Sequence, residues 1–529
     1  MVLLMTHWAE EVARELLKKC ERHVVSTGIS PSGVFHVGHL REILTGDVIY
    51  RSIIKLGGDA RFIFLVDDAD PLRKVPVGVD ESFTEYIGVP IWQVPSPDGS
   101  SKSWSEYHLE PFLEVLNDLG ATPDIIRTSQ LYREGKFADI IVTVLQNRDK
   151  IIRILEEVTG RALPKDWYPF MPQCESCRRI DKTKVLGFEG KNVYYKCENC
   201  GHEGHVSISS WAGKMPWRVE WPAKWKLFGV TCEPFGKDHA AAGGSYDSGS
   251  RIIREIFGNE PPYPVPYEWF VLKGKGAMSS SKGVVVSAYD FVKANIPQVV
   301  RFLYIKYLPM THVEFDPIWG SLNIYDEYKQ YERVYFKLDK PTPGMKDVEY
   351  VYWLSQPDGN TPKRIPIQLP YRHAVVLVQI ARDFEHFLEI LERQYNKAEI
   401  ESNVAYLKTI YERARNWVKI FAPENIRFKV LENIDADIIK KLSDKQVKFI
   451  EELIKLMMED NFEWSPQNIH TTIHELAKRF KLSHREAFGV VYKVFLGKSE
   501  GPRAGYFLYS LGKEFVLKRL KDVLELMRT

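Results

Sequence analysis

Trp8, Val12, Leu16 and Leu17 recur at helical spacing against Glu10, Glu11, Arg14 and Lys18, which predicts an amphipathic helix over 5–20. A β-rich run, His23-Val24-Val25-Ser26-Thr27, follows. After a Gly/Pro/Ser turn the helical period returns in Leu40, Ile43, Leu44, Val48 and Ile49. Residues 60–66 form a continuous apolar run of strand length, the pattern of a parallel strand covered on both faces. Strand, turn and helix in this order predict a doubly wound, Rossmann-type α/β domain. From about 75 to 230 Pro, Gly, Trp and Ser interrupt it, with helical blocks at 106–119 and 137–158. A strand-like run at 227–232 and a helix carrying Ile252, Ile253 and Ile256 resume the α/β pattern; an aromatic strand covers 267–273 and helix returns over 287–304. From 371 onward the pattern is nearly all helix, as in Val375, Leu377, Ile380 and Phe384, or Val490, Val491, Val494 and Phe495.

The expected organisation is therefore a first Rossmann half (1–75), an insertion (76–225), a second Rossmann half (226–310), a connector marked by Pro341, Pro343 and Pro362 (311–370), and a helical domain (371–529). Composition narrows this picture little. The net charge of +2 announces no nucleic-acid partner, so any RNA surface must be local, and the helical region carries a modest basic excess. The chain has no apolar run of the roughly 18 residues a membrane span needs. Residues 1–10 lack the basic flank of a signal peptide. The expectation is a cytoplasmic protein, and four of the six cysteines support it: Cys174-x-x-Cys177 and Cys197-x-x-Cys200 match a closed zinc ribbon. His202 and His205 are the competing ligands. No second metal site is expected around Asp98 and His108.

The chemistry concentrates in Gly28-Ile29-Ser30-Pro31-Ser32-Gly33-Val34-Phe35-His36-Val37-Gly38-His39-Leu40-Arg41. A helix N-terminus with free N–H groups favours an anion, two imidazoles can follow charge developing on a phosphate, and Gly38 admits close approach. This is a recipe for binding a nucleoside triphosphate and attacking its α-phosphate. Far downstream, Gly274-Lys275-Gly276-Ala277-Met278-Ser279-Ser280-Ser281-Lys282-Gly283 is suited to closing over triphosphate oxygens. Asp67, Asp68 and Asp70 end the 60–66 strand, where a ligand crevice or a solvated loop is equally expected. Trp211, Trp217, Trp221 and Trp225 make either a core seam or a wall for a substrate stem, with Glu220 beside them. Asp238 and His239 follow the next strand.

Together, His36-Val37-Gly38-His39, the RVEWPAKW run from Arg218 to Trp225, the FGKDH run from Phe235 to His239, and Met278–Lys282 resemble the HIGH, GxDH-like and KMSKS elements of class I lysyl-tRNA synthetases, over nearly the whole chain. The resemblance implies activation of L-lysine by ATP with Mg²⁺, transfer to the 2′-hydroxyl of the terminal adenosine of tRNA(Lys), and an anticodon-binding role for the helical domain. It implies phosphate stabilisation by His36, His39 and Lys282. It implies ATP contacts from Gly38, Asp238, Met278, Ser279, Ser280, Ser281 and Lys282. The α-amino group would meet Gly28 and Ser30, with His239 near the substrate. Asp67, Glu220, Trp217, Trp221 and Tyr267 are the candidates for the ε-ammonium. The loop departs from the family pattern at Ala277 and Ser280. The alternatives are a class I synthetase for glutamate, disfavoured because only Arg41, Arg61 and Arg73 lie near Ile29 or Asp67, and a non-catalytic tRNA-binding relative. Arg503, Tyr506 and Phe507 are candidates to stack on an unpaired base.

Overall fold

The computed structural model describes residues 6–274 and 286–528. They form two compact units. The first gathers the chain up to 292 with 297–317 and 330–361, and the second 293–296, 318–329 and 362 onward. Among the described residues no helix is long and apolar enough to cross a membrane.

The first unit is built on a parallel sheet of β1 (Arg22–Ile29), β2 (Asp59–Val66), β3 (Asp124–Arg127), β4 (Cys232–Gly236) and β5 (Tyr263–Tyr267), in the order β5-β4-β1-β2-β3. The chain steps outward from β1 to one edge and then returns to build the other side. The carboxyl ends of β1 and β4 therefore flank the switch point, where such sheets open a crevice. The last five residues of β2 are buried, as its unbroken apolar run requires. Helix α1 (Trp8–Leu17) precedes β1, and α2 (Val37–Lys55) covers the sheet with Leu40, Ile43, Leu44, Val48 and Ile49, all buried. Close approach at one point needs glycine: a Cβ on Gly46 would lie 2.8 Å from a ring carbon of Phe62 and 2.9 Å from the Thr27 methyl.

Several elements differ from the sequence reading. The stretch 76–225 is not wholly an insertion, because it supplies edge strand β3; with four residues, two of them charged, β3 carries little periodicity. The 137–158 block breaks at Asn147 into helices Ala138–Gln146 and Arg148–Thr159. The 227–232 run is not one strand. Helix Trp217–Phe228 extends into it, Gly229 ends that helix in a left-handed turn (φ 61°), and β4 begins only at Cys232. The aromatic strand at 267–273 is two strands in different sheets: Tyr267 ends β5, while Phe270–Leu272 pairs with Val313–Phe315. The 311–370 connector contains helices Trp319–Tyr335 and Val348–Leu354, with Pro341, Pro343 and Pro362 outside them. Leu322, Tyr325, Tyr328 and Tyr331 bury one face of the longer helix, and tyrosine marks that period weakly. The second unit is all helix around a core that includes Phe449, Leu453, Ile473, Val490 and Phe507.

Candidate active site

His36 caps α2. Its Nδ1 accepts the Gly38 N–H at 3.1 Å, and Nδ1 of His39 accepts the His36 N–H at 3.0 Å. The rings stack with centroids 3.8 Å apart. Because both Nδ1 atoms accept, each neutral ring carries its proton on Nε2. Burial holds His36 down to about 4 and, with His36 alongside, holds His39 well below its ordinary value. The pair is thus two neutral Nε2–H donors. One expectation changes. The first amides of α2 are not free for an anion: Val37 N donates to Val286 O, Gly38 N to His36 Nδ1, and His39 N to His36 O. The self-cap consumes them, and imidazole replaces amide as the donor.

The residues after the downstream loop return to this turn: Ala288 N donates to Phe35 O, and His36 bridges Ser287. Met278, Ser279, Ser280, Ser281 and Lys282, with Lys275 and Ala277, lie outside the described residues.

Gly28, Asp67, Trp217, Trp221 and His239 line one cavity at the switch point, with Glu42, Lys224, Glu233 and Phe235. Ser30 lies alongside, its hydroxyl donating to Asp67 O at 3.2 Å. Trp217 and Trp221 stack at 5.1 Å, and His239 packs 5.5 Å from Trp221. Asp238 accepts the Trp269 indole N–H at 3.0 Å. Trp221 is core as well as wall, at 3% exposure, whereas Trp225, at 2%, is core alone.

Two of the carboxylates proposed for an incoming ammonium are already paired. Glu220 lies 3.0 Å from Lys214, 3.1 Å from Lys224, and accepts the Tyr132 hydroxyl at 2.6 Å; Lys224 also binds Asp67, and Lys214 binds Asp70. Four of these charges are buried and Asp70 partly so, so removing any one strands its partner. Among the described residues, two carboxyls on this cavity that the sequence reading passed over, Glu42 and Glu233, have no ion pair. Glu42 accepts the Gly28 N–H (2.8 Å) and the Tyr267 hydroxyl (2.7 Å), and Glu233 accepts the Trp221 and Trp225 indoles. Burial pushes Glu42 up to about 7 and Glu233 up to about 8. An acid inside buried strand β4, and another one turn beyond His39 on α2, were the available signals. Arg41 is committed to the carbonyls of Leu308, Pro309 and Thr311, and Arg61 pairs with Asp124 on the surface.

These two shifts give a signed pH dependence. A carboxyl whose folded pKa is raised stabilises fully below its unfolded value, and this contribution is lost as pH rises through the folded one. The ligand-free protein should therefore lose thermal stability between about pH 4.5 and 8. A cationic ligand should restore it, most strongly at the upper end. A melting temperature flat over that window would contradict uncompensated carboxyls here.

At one end of the second strand of a separate three-stranded antiparallel sheet (Thr183–Glu189, Asn192–Cys197, Glu203–Ser207) lies Cys197, whose sulfur and those of the loop cysteines Cys174, Cys177 and Cys200 all lie within 4.8 Å of one another. Cys174–Cys200 and Cys177–Cys197 are 3.6 Å apart, far beyond a disulfide bond and close to the ~3.8 Å edge of a tetrahedron with ~2.3 Å metal–sulfur bonds. The donor set fits a metal. Neither His202, beside Glu175, nor His205, against Tyr194, belongs to that cluster.

Comparison with known proteins adds the lineage. Residues 6–357 match the family described as tRNA synthetases class I (K), and 377–524 match an anticodon binding domain. A protein of Archaeoglobus fulgidus named lysine–tRNA ligase is 42% identical over 98% of this chain and 100% of its own; one of the same name from Picrophilus torridus is 43% identical over 98% and 99%. Among solved structures, a glutamate tRNA ligase of Elizabethkingia meningosepticum aligns over 96% of this chain and 99% of its own, at 15% identity and a TM-score of 0.44. With the first match spanning most of the chain and relatives above 40% identity along nearly all of it, this chain belongs to the class I (K) tRNA synthetases.

Proposed function

We propose that the protein activates L-lysine with ATP to lysyl-adenylate and transfers lysine to the 2′-hydroxyl of the terminal adenosine of tRNA(Lys). The observation that carries the substrate is the pair of carboxyls on one aromatic-walled cavity, Glu233 buried and Glu42 partly buried, that have no ion pair among the described residues. The lysine stem would lie against Trp217 and Trp221, with its ε-ammonium between these acids and its α-amino group toward Gly28 and Ser30. Tyr267 orients Glu42, and His239 closes the wall.

ATP would lie across the switch point, with Gly38 and Asp238 at its nucleoside side. The lysine carboxylate attacks the α-phosphate in line and pyrophosphate leaves. His36 and His39 donate through Nε2 to the oxygens that gain charge. Lys282, with Met278 and Ser279 to Ser281, would hold the departing pyrophosphate; that assignment rests on sequence. Mg²⁺ enters as the counter-ion of ATP and neutralises triphosphate charge. The cytoplasm is the expected location.

Zinc is the proposed metal of the four thiols, in a structural role, since four protein ligands leave no open position. Cys197→Ser is expected to release the metal and melt the three strands around it, read as loss of bound zinc and of hydrogen-exchange protection over 174–207. Retained protection in the metal-free variant would argue against this.

ATP–pyrophosphate exchange over all twenty amino acids, with and without tRNA, tests the whole reading. Lysine-dependent exchange is expected. Glutamate-dependent exchange would overturn the substrate, and no exchange would overturn the activity.

A further inference from the structure

Asp238 lies on a single turn, Lys237–Ala240, that leaves the carboxyl end of β4 without a side-chain cap. It is exposed, and an unrestrained Asp side chain would divide its time among rotamers. The restraint comes from Glu268 and Trp269, which join β5 to the strand Phe270–Leu272. The Trp269 indole N–H donates to Oδ2 of Asp238 at 3.0 Å. The neighbouring Lys237 meets both oxygens of Glu268, at 2.8 and 2.9 Å. Glu268 is itself anchored. Its N–H donates to Pro309 O at 2.8 Å, and its Oε1 accepts the Trp269 backbone N–H at 2.8 Å. Two consecutive residues thus grip two consecutive residues of the turn. Among the described residues, Oδ1 of Asp238 has no hydrogen-bond partner. Trp269 is 42% exposed and contributes little to the core, so its substitution tests the hydrogen bond with little loss of packing.

We propose that Trp269 is a positioning residue for ATP: it holds Oδ2 of Asp238 so that Oδ1 meets a ribose hydroxyl. The inference rests on the ATP-dependent reading, in which Asp238 lies at the nucleoside side, and adds the residue that orients it. An indole N–H can only donate, so the contact commits one carboxylate oxygen and keeps the other as an acceptor. The ribose supplies two O–H donors to match it. A carboxylate already oriented binds without the cost of being ordered on arrival. The adenine amino group is the other donor a nucleoside offers, and a contact there would be blind to the sugar.

The test is direct binding of ATP, 2′-deoxy-ATP and 3′-deoxy-ATP to the full-length, metal-loaded protein, measured by calorimetry. Wild type is expected to bind one deoxy analogue about 10-fold more weakly than ATP. Trp269→Phe keeps a ring and removes the donor. It should bind ATP about 10-fold more weakly and narrow the deoxy gap to about threefold or less. Asp238→Ala should abolish the gap, and adding Trp269→Phe to it should change nothing further. In lysine-dependent pyrophosphate exchange, Trp269→Phe should raise the KM for ATP and leave kcat and the KM for lysine within about twofold, a split that a general loosening of the fold would not give. Trp269→Leu stands as the second variant should the first not fold. ATP binding within about twofold of wild type, or a deoxy gap kept in full, would overturn the assignment. So would a wild type indifferent to both ribose hydroxyls. The two failures are distinguishable. Without lysine-dependent exchange by the wild type the charging reading falls, while the binding measurements still decide the role of Trp269.

Discussion

His39→Ala is expected to slow lysyl-adenylate formation by about 10²–10³-fold, the usual effect of removing one donor aimed at developing charge. The neutral Nε2–H is the group lost. The substitution also removes the acceptor of the His36 N–H, leaving a partly buried amide unpaired at about 1–3 kcal/mol. A domain stable by about 5–15 kcal/mol tolerates this, so the variant should fold. His39→Asn can supply an acceptor to His36 without the imidazole donor. It should regain stability and not rate, which separates cap from chemistry. The measurements are single-turnover adenylate formation and thermal melting. Wild-type rates in His39→Ala would remove the histidines from the mechanism.

Glu233→Gln is expected to raise the lysine KM by about 10²-fold. Truncating one member of a buried charge pair typically costs about 2–5 kcal/mol, and the amide carbonyl can still accept one of the two tryptophan N–H groups, its NH₂ facing the other. Stability without lysine should change little, because neutralising an uncompensated acid offsets the loss of one indole acceptor. Glu42→Gln should behave alike, and the double variant should lose less than the sum if both acids face one ammonium. Glu220→Gln should differ: it leaves Lys214 and Lys224 short of negative charge and lowers stability by about 3–5 kcal/mol. A lysine KM unmoved by Glu233→Gln, measured by pyrophosphate exchange, would place the ammonium elsewhere.

The sequence carried the sheet's centre well. β1, β2 and α2 have the clean periods of buried parallel strands and the helix that covers them. It carried the thiol cluster because ligand spacing is local. It misjudged what depends on distant neighbours. β3 is legible only beside β2, and the break between Tyr267 and Phe270 only beside the two sheets they join. The choice among acids failed for the same reason. Glu220 looks available until Lys214 and Lys224 are brought to it, whereas Glu42 and Glu233 look structural until no cation among the described residues is found against them.

The five-charge cluster of Asp67, Asp70, Lys214, Glu220 and Lys224 bears on how this lineage can change. Each member is tolerable only in the company of the others, so a single substitution passes through a state with a stranded charge. Descendants can keep the set or exchange several members nearly at once. Across a deep family tree these positions should change together, although Asp67 and Lys224 stand far apart in the chain.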